Sequence, residues 1–395
     1  MVVMEEMKDY SLEEILFALL RSEVCGTELS SDIKNQITSN KLSSLYKLSK
    51  SHDLAHLTGN ALEKNGLMGE DSPMYEPFFK ARNMAIYRYE TSNYELGEIC
   101  RILEQEQIKH MPLKGAIIRN YYPEPWMRTS CDLDILVDST QVKRIVKLLT
   151  KKYDYMYYIH TQHDYSLFSA SGVHIELHTD LIFYKKLGAE FVKRVWETAI
   201  LEGETHYRFK MREDLFLAYH VAHMAQHVVT GGGCGVKPFI DLWIIQNIMK
   251  IDVTPAMEIL REQNLTKFTE KSIDLSAYWF ADGEKNEKIE SFAHFILVGG
   301  VYGSTQNKVK VGRSIKKGKI RYILGRLFVP YRNLVMLYPS LKKCPILFPF
   351  YQVRRWFRLV LPNGVGVKNA VNELKATTNG TESAEKLISD LGLQQ

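Results

Sequence analysis

Two aspartates one residue apart, Asp132 and Asp134, and a glutamate on a later apolar run, Glu176, are the side chains here best suited to holding metal ions. The aspartates open the run Asp132-Leu133-Asp134-Ile135-Leu136-Val137, and Glu176 lies in Val173-His174-Ile175-Glu176-Leu177-His178. Side chains alternate along a strand, so Asp132 and Asp134 share one face and Leu133 takes the other. By the same rule His174, Glu176 and His178 face away from Val173, Ile175 and Leu177. Carboxylates brought together on neighbouring strands repel one another unless cations balance them, so their convergence would itself imply metal. Upstream, Lys114-Gly115 opens a helix after a short apolar run, and a helix N-terminus beside paired carboxylates suits a polyphosphate. Arg128 and Ser130 come immediately before the pair. Each also has a plainer reading: Glu176 as a solvated residue, Arg128 as a surface ion pair, Ser130 as a hydrogen-bonding group at a strand start.

A sheet is needed to hold these groups. Hydrophobic spacing predicts a strand over 108–113, a helix over 116–122 and a strand over 132–137. An amphipathic helix follows, capped by Ser139 or Thr140, with Val142, Ile145, Val146 and Leu149 on one stripe. Strands over 153–159, 165–170 and 173–179 complete the set, the last two joined by a Ser171-Gly172 turn. The order β-α-β-α-β-β-β makes a small mixed sheet with helices on one side. The first hundred residues are helical, with a capping box at Ser11 to Glu14 and further helices over 51–64 and 74–107. Helices return over 214–229 and 239–249, and another starts at Thr254-Pro255. The class is α+β, in four parts: a helical N-terminal region (1–86), a core (87–205), a helical domain (206–300) and a basic helical C-terminal segment with its tail (301–395).

The chain has 395 residues, enough for more than one core, and its 45% hydrophobic and 25% charged content is that of an ordinary globular protein. Five scattered cysteines, odd in number and never in a C-x-x-C pair, argue against a disulfide framework and for a reducing, cytoplasmic setting. The first residues are acidic and carry no secretory pattern. A net charge of +5 conceals an asymmetry: no Asp or Glu occurs between Glu290 and Glu373, a span with 15 Lys and Arg. The remainder of the chain is net acidic.

Taken together, Leu113-Lys114-Gly115, Tyr122-Pro123, the run from Arg128 through Asp132-Leu133-Asp134 to Val137, and Ile175-Glu176-Leu177-His178 resemble the uncharacterised bacterial nucleotidyltransferases of the polymerase-beta-type superfamily. His223 to His227 and Asp241-Leu242 echo the helical region that follows the core in that group. The resemblance implies a polymerase-beta-like nucleotidyltransferase core and magnesium-dependent transfer of a nucleoside monophosphate from an NTP, ATP first among them, to a hydroxyl-bearing acceptor, with release of pyrophosphate. Asp132, Asp134 and Glu176 would hold two magnesium ions, with manganese as an alternative, and Glu176 could draw the acceptor's proton. Lys114, Gly115, Arg128 and Ser130 would bind the nucleotide, Arg128 through its planar fork. One departure stands out: the superfamily's Gly-Ser is Gly115-Ala116 here, and a phosphate-binding hydroxyl is missing. A non-catalytic relative that keeps the fold for binding is therefore a second reading.

His220, His223 and His227 fall on one face of a single helix. Zinc binding and ordinary polar contacts at the edge of a cleft both fit that spacing. The basic segment, residues 308–358, carries two amphipathic stretches: Ile320, Ile323, Leu324, Leu327 and Phe328, then Val353, Trp356, Phe357 and Val360. Packing on the core, binding to nucleic acid, and a peripheral position on an anionic membrane are its three readings.

Overall fold

In the computed structural model the two carboxylate-bearing runs are adjacent parallel strands at the centre of a five-stranded sheet. The structure describes residues 9–160, 164–181, 188–281, 283–316, 318–360, 372–373, 375–377 and 382–394. The N-terminal residues 1–8, His163 and most of the polar stretch of the tail therefore lie outside the described residues. Strands β1 (His110–Pro112), β2 (Asp132–Val137), β3 (Met156–His160), β4 (Asp164–Phe168) and β5 (His174–His178) lie in the order β1-β2-β5-β4-β3. Only the β2–β5 pairing is parallel; the rest are antiparallel. Burial in β5 alternates as its spacing requires, with Ile175 and Leu177 in the core and the polar residues between them half-buried.

The helices supply two walls. In chain order the first are α1 (Leu12–Val24), α2 (Ser31–Gln36), α3 (Ser39–Ser51), α4 (Ala55–Lys64), α5 (Tyr75–Gln105), α6 (Gly115–Ile118), α7 (Val142–Lys152) and α8 (Ala189–Glu197). Beyond the small ladder β6 (Ile200–Leu201) and β7 (Phe209–Lys210) come α9 (Glu213–Gly231), α10 (Lys237–Asn247), α11 (Val253–Glu262), α12 (Thr266–Phe280) and α13 (Glu287–Gly299). Leu133, Ile135, Ile175 and Leu177 pack with Ile145 and Leu149 of α7 and Ile99 and Leu103 of α5 in one buried cluster. A larger cluster joins the N-terminal helices to α9–α13, with Phe17 stacked on Trp279 at 4.6 Å between ring centroids. The sheet is thus apolar towards α5 and α7, and its polar face is turned to the second group of helices.

Several elements differ locally from their sequence signals. The capping box at Ser11 and Glu14 forms as expected. The helix expected over 116–122 is one α-turn followed by a 3-10 turn at Arg119–Tyr121. Neither Ser139 nor Thr140 caps α7; Asp138 instead accepts bonds from the Thr140 amide and hydroxyl at 2.7 and 2.6 Å. An Asp turn thus takes the place of the cap. The helix signalled by Thr254-Pro255 starts at Val253, because the Asp252 side chain caps it and accepts from the Thr254 amide. The segment expected as a helix over 51–64 is broken at Asp53, whose φ of 56° ends α3. Gly232, at φ 82°, closes α9 in the left-handed region, and any Cβ there would collide with the backbone of Asn307 and Lys308.

The basic segment forms α14 (Thr305–Ile315), α15 (Lys319–Leu327), α16 (Tyr331–Leu337) and α17 (Phe348–Val360), and the chain closes with α18 (Glu382–Asp390). No helix among the described residues is long and apolar enough to cross a membrane.

Candidate active site

The register fixes the site. Asp132 is opposite His174 and Asp134 is opposite Glu176 on the neighbouring strand. Leu133 and Ile175, between them, are sealed in the core, which forces all the polar side chains onto the other face. Asp134 is buried, and both of its oxygens are engaged. Oδ1 accepts from His178 Nε2 at 2.7 Å, and Oδ2 is paired with Lys114 Nζ at 3.1 Å. Glu176 lies 3.5 Å from the same His178 nitrogen and 3.8 Å from His174 Nε2. Ligand atoms of Asp134, Glu176 and His178 all fall within 4.8 Å of one another, the spacing of a metal-holding group.

The charges are unequally balanced. Burial opposes ionisation of Asp134, but Lys114 and His178 outweigh it and hold the carboxyl far below its usual range. Burial likewise opposes a charge on His178, yet hydrogen bonds to Asp134 and Glu176 lift it to about 9. Asp132 has no such support. Burial, and then the neighbouring Asp134, push it up to about 6 despite Lys114. The protein's own cations satisfy Asp134 and leave Asp132 short of positive charge.

Lys114 is placed by an unusual backbone. Its φ of 43° is costly for a side chain with a Cβ, and it is held by the Leu113 amide donating to the Asp134 carbonyl at 3.0 Å. Burial resists its charge, but Asp134 keeps its pKa well above the ordinary lysine value. The Ala116 and Ile117 amides donate to the Leu113 and Lys114 carbonyls, so the first turn of α6 spends these donors internally. Gly115 sits in a close space: a Cβ there would lie 3.1 Å from Arg128 Nη1, which would have to shift slightly, and in ordinary contact with Ser130 Cβ at 3.6 Å.

Arg128 and Ser130 lie in the same cavity wall, with their polar atoms turned to other protein groups. The Arg128 fork grips Asp241 of α10, Nε to Oδ1 at 3.2 Å and Nη2 to Oδ2 at 2.7 Å, and Tyr122 donates to the same carboxylate at 2.7 Å. Asp241 is fully enclosed, so this is a buried pair and not the surface pair that was one expectation. Ser130 Oγ accepts from Arg119 at 2.8 Å. Beside them Lys237 donates to Asp53 Oδ2 at 2.8 Å and to Thr129 Oγ1 at 2.6 Å, and the Thr129 hydroxyl donates to Asp53 at 2.7 Å. Burial raises Asp53, but Lys237 and Thr129 overcome it and bring it to about 2. The buried Arg128–Asp241 pair and the half-buried Lys237–Asp53 pair therefore bolt the loop ahead of β2 to α10 and to the end of α3.

The cavity over these groups holds about 500 Å³, with Lys114, Asp132 and Glu176 on the sheet side and His223 and His227 on the α9 side. Residues 38–281 match a protein family described as an uncharacterised nucleotidyltransferase. The chain belongs to this nucleotidyltransferase family. No curated protein matches the sequence, and no solved structure does.

The matched span of this nucleotidyltransferase contains the whole five-stranded sheet and the helices α9 and α10 that face it, and it ends before the basic segment. The three histidines of α9 do not converge. His220 Nε2 donates to the Pro238 carbonyl at 3.1 Å, while His223 and His227 meet each other, Nε2 to Nε2, at 3.1 Å. Burial, helped by Lys114, lowers His223 and His227, so both imidazoles resist protonation. Sequence reasoning placed His178 on the right face of its strand but gave it no role, and passed over Asp53, Thr129 and Lys237 altogether. The alternation in β5 was the available signal for His178. For Asp53, 184 positions before Lys237, nothing local existed to read.

Proposed function

We propose that this nucleotidyltransferase moves a nucleoside monophosphate from an NTP, ATP first among the candidates, to a hydroxyl group of an acceptor, with release of pyrophosphate. The observation that carries this reading is the register pairing of Asp134 with Glu176, which sets Asp132, Asp134 and Glu176 on one polar face beside Lys114. The donor set fits divalent metal: ligand atoms of Asp134, Glu176 and His178 lie within 4.8 Å of one another, and Asp132, on the same strand face, is pushed up by burial and by Asp134. Asp132, Asp134 and Glu176 would hold magnesium, in one or two ions, with manganese as an alternative for the same carboxylate oxygens. A bound divalent cation supplies neutralisation of the triphosphate and of the departing pyrophosphate.

The chain's own residues do the rest. Lys114 fixes the rotamer of Asp134 and offers its ammonium to the phosphates. Glu176 accepts the proton of the acceptor hydroxyl, whose oxygen bonds to the α-phosphorus as the bond to the β-phosphate bridging oxygen breaks. Arg128, its fork held by Asp241, and Ser130, held by Arg119, act as positioning groups for the loop in front of Asp132 and for Gly115. The acceptor enters from the neighbouring cleft of about 590 Å³, which meets the cavity at Cys131 and Tyr302 and is lined by Lys50 and Arg88. In this reading residues 87–205 form the catalytic core, 206–300 close it, and 1–86 buttress both.

The test is release of pyrophosphate, or label transfer from an α-labelled NTP, by the full chain with magnesium or manganese. Wild type should turn over, and Asp132→Asn/Asp134→Asn should lose at least ~10³ of the rate. Activity unchanged in that variant would refute the assignment. Binding of NTP by a wild type that transfers nothing would favour the non-catalytic reading.

A further inference from the structure

From α15 to α17 the surface combines two properties that rarely coexist on a face left in water. The first is exposed apolar bulk. Ile320, Leu324, Leu327 and Phe328 stand at i, i+4, i+7 and i+8 along α15, and all four are exposed, Ile320 by 74%. Phe350, Val353 and Phe357 repeat the pattern on α17 at i, i+3 and i+7, with Phe357 67% exposed. In the turn leading into α17, Ile346 is 84% exposed. Packing on the core, one of the three readings, takes up little of these stripes among the described residues: Ile323 packs on Val309 and Tyr322, and of α15 only Tyr322 is buried. The second property is charge. Lys319, Arg321, Lys342, Lys343, Arg354 and Arg358 are exposed between and beside these apolar residues, within a span that contains no Asp or Glu. Arg326 is paired, bidentate, with Glu373 beyond the span.

Among the described residues the two helices hold each other without covering these faces. Trp356 Nε1 donates to the Leu327 carbonyl at 2.8 Å, and Arg355 donates to the carbonyls of Arg326 and Leu327. Trp356 also stands edge-on to Phe328 at 5.5 Å. The contacts fix α17 across the end of α15 and leave Ile320, Leu324, Phe350 and Phe357 outward.

We infer that residues 319–358 are a docking surface for an anionic lipid membrane, the apolar side chains entering the acyl boundary and the basic ones meeting the headgroups. Charge complementarity selects this occupant. A second copy of the same face would bring like charges together, which opposes self-association. Nucleic acid would satisfy the lysines and arginines, but it offers bases for aromatic stacking and no apolar phase for Ile320, Leu324 and Ile346. An interfacial helix pair with a basic rim gains from both terms at once. The inference is independent of the chemistry at Asp132 and concerns a segment outside the family-matched span.

Co-flotation of the full chain with phosphatidylcholine vesicles, with and without phosphatidylglycerol, tests it. The chain should float with the anionic vesicles and not with the neutral ones, and added salt should weaken the binding. Ile320→Ser/Leu324→Ser/Phe350→Ser/Phe357→Ser should reduce the bound fraction by ~tenfold or more, and Lys319→Gln/Arg321→Gln/Lys342→Gln/Lys343→Gln should also reduce it. All these side chains are exposed, so the unfolding temperature of each variant should match wild type and exclude misfolding as the cause. No flotation, or flotation undiminished in the apolar variant, would overturn the inference. So would tighter binding of single-stranded RNA than of anionic vesicles at the same salt.

Discussion

Lys114 and His178 both reach Asp134, whereas burial and Asp134 push Asp132 up, and in the proposed function this difference between two residues on one strand face is the chemical centre of the site. The residues that tune it are distant in sequence, and some serve only as support. His56 is the clearest of these: it is enclosed beneath the loop, and its Nε2–H donates to the Met127 carbonyl at 2.8 Å. Burial first, and then Lys237 and Arg88, lower it to about 4. An unfolded histidine titrates near 6.5, so between pH 6.5 and 4 the unfolded chain binds a proton that the native state refuses. Stability therefore rises with pH across that window, by roughly 3 kcal/mol from this residue. Urea unfolding at pH 4.5 and pH 7 should show that His56→Gln has a smaller pH dependence than wild type; equal slopes would contradict the assignment. The placement of Asp132, Asp134 and Glu176 on one polar face was legible because alternation and apolar context mark them locally, and Lys114 because it precedes a glycine after an apolar run. Lys237 and Thr129 were not, because a buried ion pair is a property of tertiary approach.

At the scale of elements, the contact of α10 with the loop before β2 is what would position the chemistry in the proposed function. Asp241 is fully enclosed, Arg128 is mostly so, and Tyr122 reinforces the pair, so removing Arg128 strands a carboxylate in the interior. Arg128→Ala or Asp241→Ala should each cost ~3–5 kcal/mol in chemical denaturation. A double variant with apolar residues of similar size, Arg128→Met/Asp241→Leu, should be less destabilised than either. If the single variants stay within ~1 kcal/mol of wild type, the pair does not lock the loop. The strands were readable to within a few residues, since period-two alternation in the last three runs survives any register. The short helix after Gly115 was not: hydrophobic spacing is the same for an α-turn continued as 3-10, and the Arg119 bond to the Gly115 carbonyl decides between them. The Asp252 cap and the break at Asp53 were missed for a related reason, since side-chain capping and a left-handed residue leave weak marks beside stronger Ser, Thr and Pro signals.

For the molecule as a whole, sequence alone suggested helical regions before and after the core, and the structure gives them a common interior. Phe17, Leu16 and Leu20 of α1 share one buried cluster with Phe239, Trp279 and Phe292, and the guanidinium of Arg21 donates to the Tyr278 and Trp279 carbonyls. These regions should therefore unfold together. Phe17→Ala should cost ~3–5 kcal/mol and lower the protection of amides in α1 and α12 alike in hydrogen exchange. Loss of protection confined to α1 would show the N-terminal helices to be an independent unit. The shared interior was invisible in the sequence because amphipathic stripes state that a helix is buried and not against what.

In the proposed function the carboxylate face binds nucleotide through divalent metal, and the direct test is thermal unfolding of the full chain with each NTP, with and without magnesium or manganese. At a hundred times the dissociation constant a ligand adds ~2.7 kcal/mol, a readily measured shift. Stabilisation should require both an NTP and the cation and should disappear in Asp132→Asn/Asp134→Asn. Stabilisation that persists in that variant, or that needs no cation, would contradict it.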